Sequence, residues 1–354
     1  IYADRKGRKA GLTLSVSLMC TGSLAIALTP TYAQIGPLAP LILVVARMVQ
    51  GLSLGGEYGA SATYLSEMAG RGHRGFWSSF QYVTLIAGQL TALALLLLLQ
   101  GVLTEAQIDA WGWRIPFAIG GVLAVIVFWI RRRLAETESF ENARTADAPR
   151  SGALALFRDH PREALTVMGL TAGGTLAFYA YSIYLQKFLA NTSGFSREAA
   201  SAIMTAALFL FMCAQPLAGA LSDRIGRKPL MVGFGLLGLV FTWPIFTTLE
   251  TVRDPWAAFA IVCLALLIVT GYTSINAVVK AELFPAHIRA LGVAFPYALA
   301  NTLFGGTAEA VALWLKDHGL ERGFYAYVAA LIGLSLIVYL RMPETRDHSR
   351  IVED

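Results

Sequence analysis

Long apolar segments dominate this chain and restrict what it can fold into. Ten of them have the roughly 20 predominantly apolar residues that a transmembrane helix needs, at approximately 10–29, 38–67, 76–101, 114–131, 164–189, 197–220, 229–248, 255–280, 289–315 and 323–341. A barrel strand crosses a bilayer in about 9–11 residues, so segments of this length indicate helices. We therefore predict an all-α protein that crosses a membrane ten times.

Composition excludes several other classes of protein. Of the 354 residues, 56% are hydrophobic and 14% are charged, whereas a soluble domain carries about 25% charged residues. This balance excludes a soluble enzyme and a disordered regulator. The three cysteines all lie in apolar segments, which argues against a disulfide scaffold. The sequence has no phosphate-binding loop and no metal-ligand spacing among its five histidines, so we predict no cofactor, no metal and no catalytic residue.

The distribution of basic residues predicts the orientation of the chain. If residues 1–9 lie in the cytoplasm and each span reverses direction, most Lys and Arg residues fall on the cytoplasmic side, and the outer side holds only Arg114, Lys187, Arg197, Arg253, Lys316 and Arg322. The positive-inside rule requires this excess. Both chain ends are therefore predicted to be cytoplasmic, and the net charge of +5 requires no nucleic-acid partner.

Three sequence motifs each occur twice, at offsets of 208 to 219 positions. They are the loop DRKGRK at 4–9, repeated as DRIGRK at 223–228; Glu67 and Arg74, matched by Glu282 and Arg289; and Glu136-Thr137, matched by Glu344-Thr345. Duplicated halves are a common plan in transporters. We predict an N-terminal half at 1–131, a cytoplasmic linker at 132–162 and a C-terminal half at 163–354.

The two copies of the loop do not have the same number of spans before them. Two spans precede the second copy within its half, and none precedes the first. Symmetry therefore predicts two further spans upstream of Ile1. The ten spans would then correspond to spans 3–12 of a twelve-span protein.

These motifs resemble the major facilitator superfamily, whose signature loop is G-x-x-x-D-R-x-G-R-[KR]. The second copy is complete from Gly219 to Lys228, and residues 47–51 match the R-x-x-Q-G motif of span 4. The segments GGEYG, WGWRIPF and ELFP are similar to the metabolite:proton symporter family. Longer segments, among them SFQYVTLIAGQL, YLQKFLANTSG and KAELFPAHIRALG, are similar to bacterial α-ketoglutarate permeases. The resemblance covers essentially the whole chain and implies two pseudo-symmetric six-helix halves.

The repeated loops contain the predicted gate. An Asp in such a loop can accept hydrogen bonds from a nearby helix N-terminus, while the basic residues meet headgroups or acidic side chains. The resemblance implies a gate that steadies the outward-facing state. A simple topology anchor would need Lys and Arg but not Asp. The predicted gate residues are Asp4, Arg5, Arg8, Asp223, Arg224 and Arg227.

Two ionisable residues lie deep in the span at 38–67. Arg47 and Glu57 are costly in hydrocarbon, so each indicates a polar cavity or an internal ion pair. Ten positions on a helix correspond to about 15 Å, so we do not expect them to pair with each other. The resemblance places Arg47 in proton coupling, and we predict Arg47 also as a partner for a substrate carboxylate and Glu57 as a proton-coupling residue.

Three further charged residues have two interpretations each. Lys187 is either an ordinary interfacial lysine or, as the resemblance implies, a second partner for a substrate carboxylate. Glu309 either carries a proton or neutralises a lysine. Lys280 is interpreted as a snorkelling or gate residue. Among the polar residues of the spans, Gln81, Tyr82 and Asn301 are predicted to line a wet cavity.

Together these features predict a proton-coupled symporter that imports a small dicarboxylate by alternating access. The resemblance implies 2-oxoglutarate as the substrate and a monomer in the bacterial inner membrane, with protons and the lipid bilayer as its other partners. Citrate or shikimate is the alternative substrate. A membrane sensor that keeps the fold without transporting is the alternative from another class.

Overall fold

In the computed structural model the described residues, 2–145 and 152–351, fold into helices joined by short turns and contain no strand. The first half contains α1 (Tyr2–Lys6), α2 (Arg8–Leu28), α3 (Tyr32–Ile35), α4 (Leu38–Met68), α5 (Arg74–Val102), α6 (Glu105–Gln107) and α7 (Arg114–Arg131). The region between the halves contains α8 (Glu138–Thr145) and α9 (Ala153–Asp159). The second half contains α10 (Pro161–Tyr179), α11 (Leu185–Asn191), α12 (Arg197–Ile225), α13 (Arg227–Thr251), α14 (Pro255–Thr273), α15 (Asn276–Glu282), α16 (Arg289–Ala300), α17 (Ala308–Asp317) and α18 (Glu321–Arg341).

Within the described ranges, nine helical segments are long and apolar enough to cross a membrane. The remaining predicted span, at 289–315, is helical but interrupted, because a π-helical turn at Asn301–Gly305 separates α16 from α17. The predicted span at 255–280 is also interrupted, at the turn between α14 and α15. Another π-helical turn, Ala180–Tyr184, links α10 to α11. Such turns inside helices are frequent at functional sites.

The two halves meet along two pairs of helices. Helix α5 packs against α12, and α4 packs against α16 and α15. Both approaches are close. A Cβ atom at Gly75 would lie 2.6 Å from the carbonyl oxygen of Gly219, and one at Gly59 would lie 2.5 Å from the Cβ atom of Ala294. Glycine at these positions therefore allows the backbones of the two halves to come into contact.

One end of the helix bundle gathers most of the repeated motifs. Helices α2, α5, α13 and α16 begin there, and α4, α12 and α15 end there, so Arg8, Glu67, Arg227 and Glu282 lie at the same end. We call it the basic end. The main apolar core lies in the second half. In an apolar 18-residue stretch of Pro161–Asn191, 72% of the residues are buried, against 17% in such a stretch of Leu38–Met68 in the first half.

Candidate functional site

At the basic end, Asp4 joins the first half to the second. Its two carboxylate oxygens accept hydrogen bonds of 3.0 and 2.9 Å from the backbone amides of Ala290 and Leu291. These amides belong to the first turn of α16, where they have no partner within the helix. A carboxylate is favoured at this position because it also meets the positive end of the helix dipole.

Asp223 makes the equivalent contact in the opposite direction. It accepts hydrogen bonds of 2.8 and 2.9 Å from the backbone amides of Gly75 and Phe76, in the first turn of α5. Gly219, the first residue of the signature, lies one turn before Asp223 and allows α12 to approach α5 closely enough for these bonds. The hydrogen bonds to helix N-termini expected for both Asp residues are therefore present.

The two arginines of each loop have different surroundings. Arg8 and Arg227 are fully buried, and each binds the Asp of its own loop, at 2.8 Å for Asp4 and 2.7 Å for Asp223. Arg5 and Arg224 are exposed. Of the predicted gate residues, Asp4, Arg8, Asp223 and Arg227 thus form the buried contacts.

Glu67 extends the first of these networks across the two halves. It binds Arg8 at 3.0 Å and Arg289 of the second half at 2.6 Å, and Thr137 donates a hydrogen bond to it. Its repeat equivalent, Glu282, is less tightly paired. Its nearest ionic contact in the described residues is Arg227 at 3.6 Å. The two repeated glutamates therefore occupy equivalent positions, but the distances to their arginine partners differ.

The third repeated motif caps two further helices. Glu136 accepts hydrogen bonds of 2.9 and 3.2 Å from the first two backbone amides of α2. Glu344 accepts bonds of 2.8 and 2.9 Å from the first two amides of α13. Each glutamate thereby fixes the helix that follows its signature loop, which explains why the motif is duplicated with the loop.

The segment that follows α18, up to Ile351, packs across the basic end. Ile351 is 3% exposed and packs between the halves, against α4, α15 and α16. Arg289 donates to the carbonyl oxygen of Arg350 at 2.8 Å, and Arg74 of the first half donates to that of Ile351 at 3.2 Å. This segment and the two Asp contacts make the basic end a closed interface.

Arg47 and Glu57 make separate contacts, as expected from their spacing. Arg47 is exposed, donates to Gln50 at 3.2 Å and lies 5.2 Å from the ring centroid of Phe117. Glu57 forms a partly buried ion pair with Arg131. The contacts of Glu57 therefore favour the internal ion pair among its two interpretations.

Lys187 and Glu309 lie together toward the end of the bundle opposite the basic end. They form an ion pair although 122 positions separate them. The exposed fractions of their side chains are 48% and 37%. Glu309 is therefore paired with a lysine, and that lysine is the one predicted for substrate binding.

The three predicted polar residues each contact a helix other than their own. Gln81 accepts a 2.5 Å hydrogen bond from Ser61, and Asn301 accepts one of 2.8 Å from Thr175. Tyr82 is 1% exposed, and its ring packs edge-on against Phe178. These residues lie on α4, α5, α10 and the π-helical turn after α16, so polar groups from both halves occur along the inner helices.

The sequence interpretation missed the residue with the most distinctive environment. Lys280 is fully buried, donates to Asn276 at 2.9 Å and to Tyr58 at 3.1 Å, and lies 4.1 Å from the ring centroid of Tyr297. It neither snorkels nor joins the contacts of the gate. A comparison of the two halves would have revealed it, since the offset of 215 positions between Glu67 and Glu282 places Lys280 opposite Leu65.

The sequence matches the Major Facilitator Superfamily over residues 1–312. The chain belongs to this superfamily. Its relatives include the alpha-ketoglutarate permease of Escherichia coli strain K12, which is 52% identical over 96% of this chain and 78% of the relative. A citrate-proton symporter of Klebsiella pneumoniae is 31% identical over 96% of this chain and 77% of the relative.

Solved structures show the same major facilitator fold. The proton:xylose symporter XylE bound to 6-bromo-6-deoxy-D-glucose superimposes with a TM-score of 0.80 at 18% sequence identity. The match covers 99% of this chain and 83% of that one. The chain is therefore a multi-pass membrane protein of the major facilitator type and not an enzyme.

Proposed function

We propose that this protein imports 2-oxoglutarate together with protons across the bacterial inner membrane. The observation that carries the proposal is the 52% identity to an alpha-ketoglutarate permease over 96% of the chain. The citrate-proton symporter, at 31%, supports an organic acid as substrate and a proton as coupling ion. Citrate is accordingly the second candidate substrate.

The basic end faces the cytoplasm in this proposal, because the positive-inside rule places most Lys and Arg residues there. Tyr2 and Ile351 lie at this same end. Because the Asp4 and Asp223 contacts close the basic end, we propose that the protein is a monomer in an outward-facing state. Asp4, Arg5, Arg8, Asp223, Arg224 and Arg227 are its proposed cytoplasmic gate.

Proton coupling is proposed for the Lys187–Glu309 pair, which is the more exposed of the two predicted carboxylate sites. A proton that binds Glu309 removes the charge that neutralises Lys187. The ammonium group is then free to attract a substrate carboxylate at the outer opening. Arg47, Gln81, Tyr82 and Asn301 are the further proposed substrate contacts, and Arg131 holds Glu57 in an ion pair.

The first experiment is uptake of labelled 2-oxoglutarate into proteoliposomes, with and without an inward proton gradient. Citrate and shikimate are added separately as competitors. We expect accumulation that requires the gradient and resists both competitors. Competition by citrate would mean that citrate, and not 2-oxoglutarate, is the substrate. Saturable binding of 2-oxoglutarate without accumulation would identify a sensor.

A further inference from the structure

We propose that Lys280 is the deep cation that binds one carboxylate of the transported dicarboxylate. This inference rests on the proposed function and adds a substrate contact to it. The site consists of Lys280 and Asn276 on α15, Tyr58 on α4, Tyr297 on α16 and Tyr272 at the end of α14. We call these five residues the lysine cage.

The cage has hydrogen-bond acceptors for two of the three ammonium donors. Lys280 donates to the side-chain oxygen of Asn276 at 2.9 Å and to the hydroxyl of Tyr58 at 3.1 Å. Tyr58 in turn donates to the same Asn276 oxygen at 2.8 Å. The amide nitrogen of Asn276 donates to the carbonyl oxygen of Thr273, and this bond orients the side chain with its oxygen toward the cation. The ammonium group is thus held in place by two hydrogen bonds.

Aromatic rings surround the remaining directions. The Lys280 nitrogen lies 4.1 Å from the ring centroid of Tyr297, 5.2 Å from that of Tyr58 and 5.9 Å from that of Tyr272. The rings of Tyr58 and Tyr297 stack at 3.8 Å. A ring face attracts a cation, but it carries no net charge. The three rings therefore leave the charge of the ammonium group unbalanced.

No carboxylate balances this charge in the parts of the chain that the structure describes. Lys280 forms no ion pair there, and Glu282, two positions on, is paired with Arg227 instead. Three buried arginines at the basic end, Arg8, Arg227 and Arg289, each contact an acidic side chain. A buried charge without a partner is unfavourable, and packing alone does not explain why a lysine occupies this position. A substrate anion that binds there and leaves again would explain it.

The position of the cage fits a transport site. Tyr58 lies five residues, about 8 Å, from the centre of the long helix α4. The cage also takes side chains from both halves, and it begins at the turn that separates α14 from α15. Interrupted helices close to the midplane, at the boundary between repeats, are where transporters bind their substrates.

Lys187 lies too far from the lysine cage to bind the same carboxylate as Lys280. Tyr272 of the cage packs against α10 at Gly174, and Lys187 lies 13 residues further along the same helical segment, or about 20 Å. A five-carbon dicarboxylate is much shorter than this distance. Lys187 therefore acts at the outer opening, and Lys280 acts deeper along the same path.

The test is a binding cycle between Lys280 and the carboxylates of the ligand. Dissociation constants are measured on purified protein for 2-oxoglutarate and for each of its two monomethyl esters, in the wild type and in Lys280→Gln. In the wild type we expect the ester of the carboxylate that meets Lys280 to bind at least about 10-fold more weakly than the diacid. In Lys280→Gln this ratio falls to about 1, because the variant cannot distinguish the acid from the ester.

The matched control is Lys316→Gln, which removes a lysine at the opposite end that lies 3.7 Å from Glu321. It should keep the wild-type ratio. If Lys280→Gln keeps the ratio as well, the assignment of Lys280 is overturned while the proposed function stands. A wild-type protein that binds neither the diacid nor an ester overturns the proposed function and this role together.

Folding is checked by thermal unfolding of Lys280→Gln. We expect no decrease in Tm, since the substitution leaves no acidic partner behind. Tyr58→Phe is a second variant that keeps the charge and removes the hydroxyl that orients it. We expect it to weaken binding of the diacid several-fold and binding of the ester much less, and equal weakening of both would contradict a contact at Lys280.

Discussion

Asp4 and Asp223 lie 219 positions apart, and each hydrogen-bonds the first turn of a helix in the opposite half. One contact joins α1 to α16, and the other joins α12 to α5. The two halves are thus held by two equivalent contacts in opposite directions. Any rocking motion that opens the basic end must break both, which leaves two carboxylates and two helix N-termini without these partners.

Loss of either aspartate should favour opening of the basic end. An N-terminal helix cap contributes about 1 kcal/mol, so Asp4→Ala or Asp223→Ala should increase the open population about 5-fold. The reporter is an Ala62→Cys substitution at a fully buried position between the halves, in a background without the native cysteines. We expect faster alkylation of this reporter cysteine by a maleimide added from the basic end.

Asp254→Ala is the matched control for this experiment. Asp254 caps α14 by accepting a 2.8 Å hydrogen bond from Ala257, but it makes that contact within one half. Alkylation of the reporter cysteine should be unchanged in this variant. An equal acceleration in all three variants would show that the assay reports general destabilisation and not the gate.

Glu67 and Glu282 occupy equivalent positions but should contribute unequally to stability. Glu67→Gln removes one ionic contact from Arg8 and one from Arg289, and loss of one partner from a buried ion pair costs about 3–5 kcal/mol. Glu282 is 3.6 Å from Arg227, so Glu282→Gln should cost clearly less. Unfolding of both variants in detergent measures the difference, and equal losses would contradict the asymmetry.

The spans and the repeated loops could be predicted because both depend on local sequence. Apolar length determines a transmembrane helix, and the duplicated DR-x-GRK loop identifies the two halves. The predicted span at 289–315 is continuous, whereas the structure has a π-helical turn at Asn301–Gly305. Hydrophobicity alone does not report such an interruption, because a π-helical turn is a local change in backbone hydrogen bonding.

The lysine cage could not be predicted because its members are distant in sequence. Tyr58 lies 222 positions from Lys280, and the pairing depends on how α4 packs against α15. For the same reason the sequence alone does not decide between the two interpretations of Lys187 and of Glu309. Charge in a span indicates that each residue matters, but only the packing of the helices shows which groups meet.

Ile351 should help to keep the basic end closed. Burial of an isoleucine side chain contributes about 2–3 kcal/mol, and Ile351→Asp would also place a charge between α4 and α15. The distance between spin labels at the exposed residues Met68 and Leu221 is measured by double electron–electron resonance. In Ile351→Asp we expect a second, longer distance in addition to that of the wild type. Ile351→Val, which keeps most of the apolar volume, should retain the single short distance. An unchanged distribution in Ile351→Asp would show that this segment does not hold the halves together.

The Lys187–Glu309 pair gives the sharpest test of proton coupling. In Glu309→Gln the proton site is lost and Lys187 remains permanently free, so the substrate should still exchange across the membrane without a gradient. Gradient-driven accumulation in proteoliposomes should fall at least about 10-fold, while counterflow of labelled against unlabelled 2-oxoglutarate persists. Glu250→Gln is the control, since Glu250 lies in the same half and is also paired with a cation, Arg322 at 2.9 Å, but is not proposed to carry the proton. If Glu309→Gln still accumulates substrate against a gradient as the wild type does, the proton is carried elsewhere, and Glu57 becomes the carboxylate to change next.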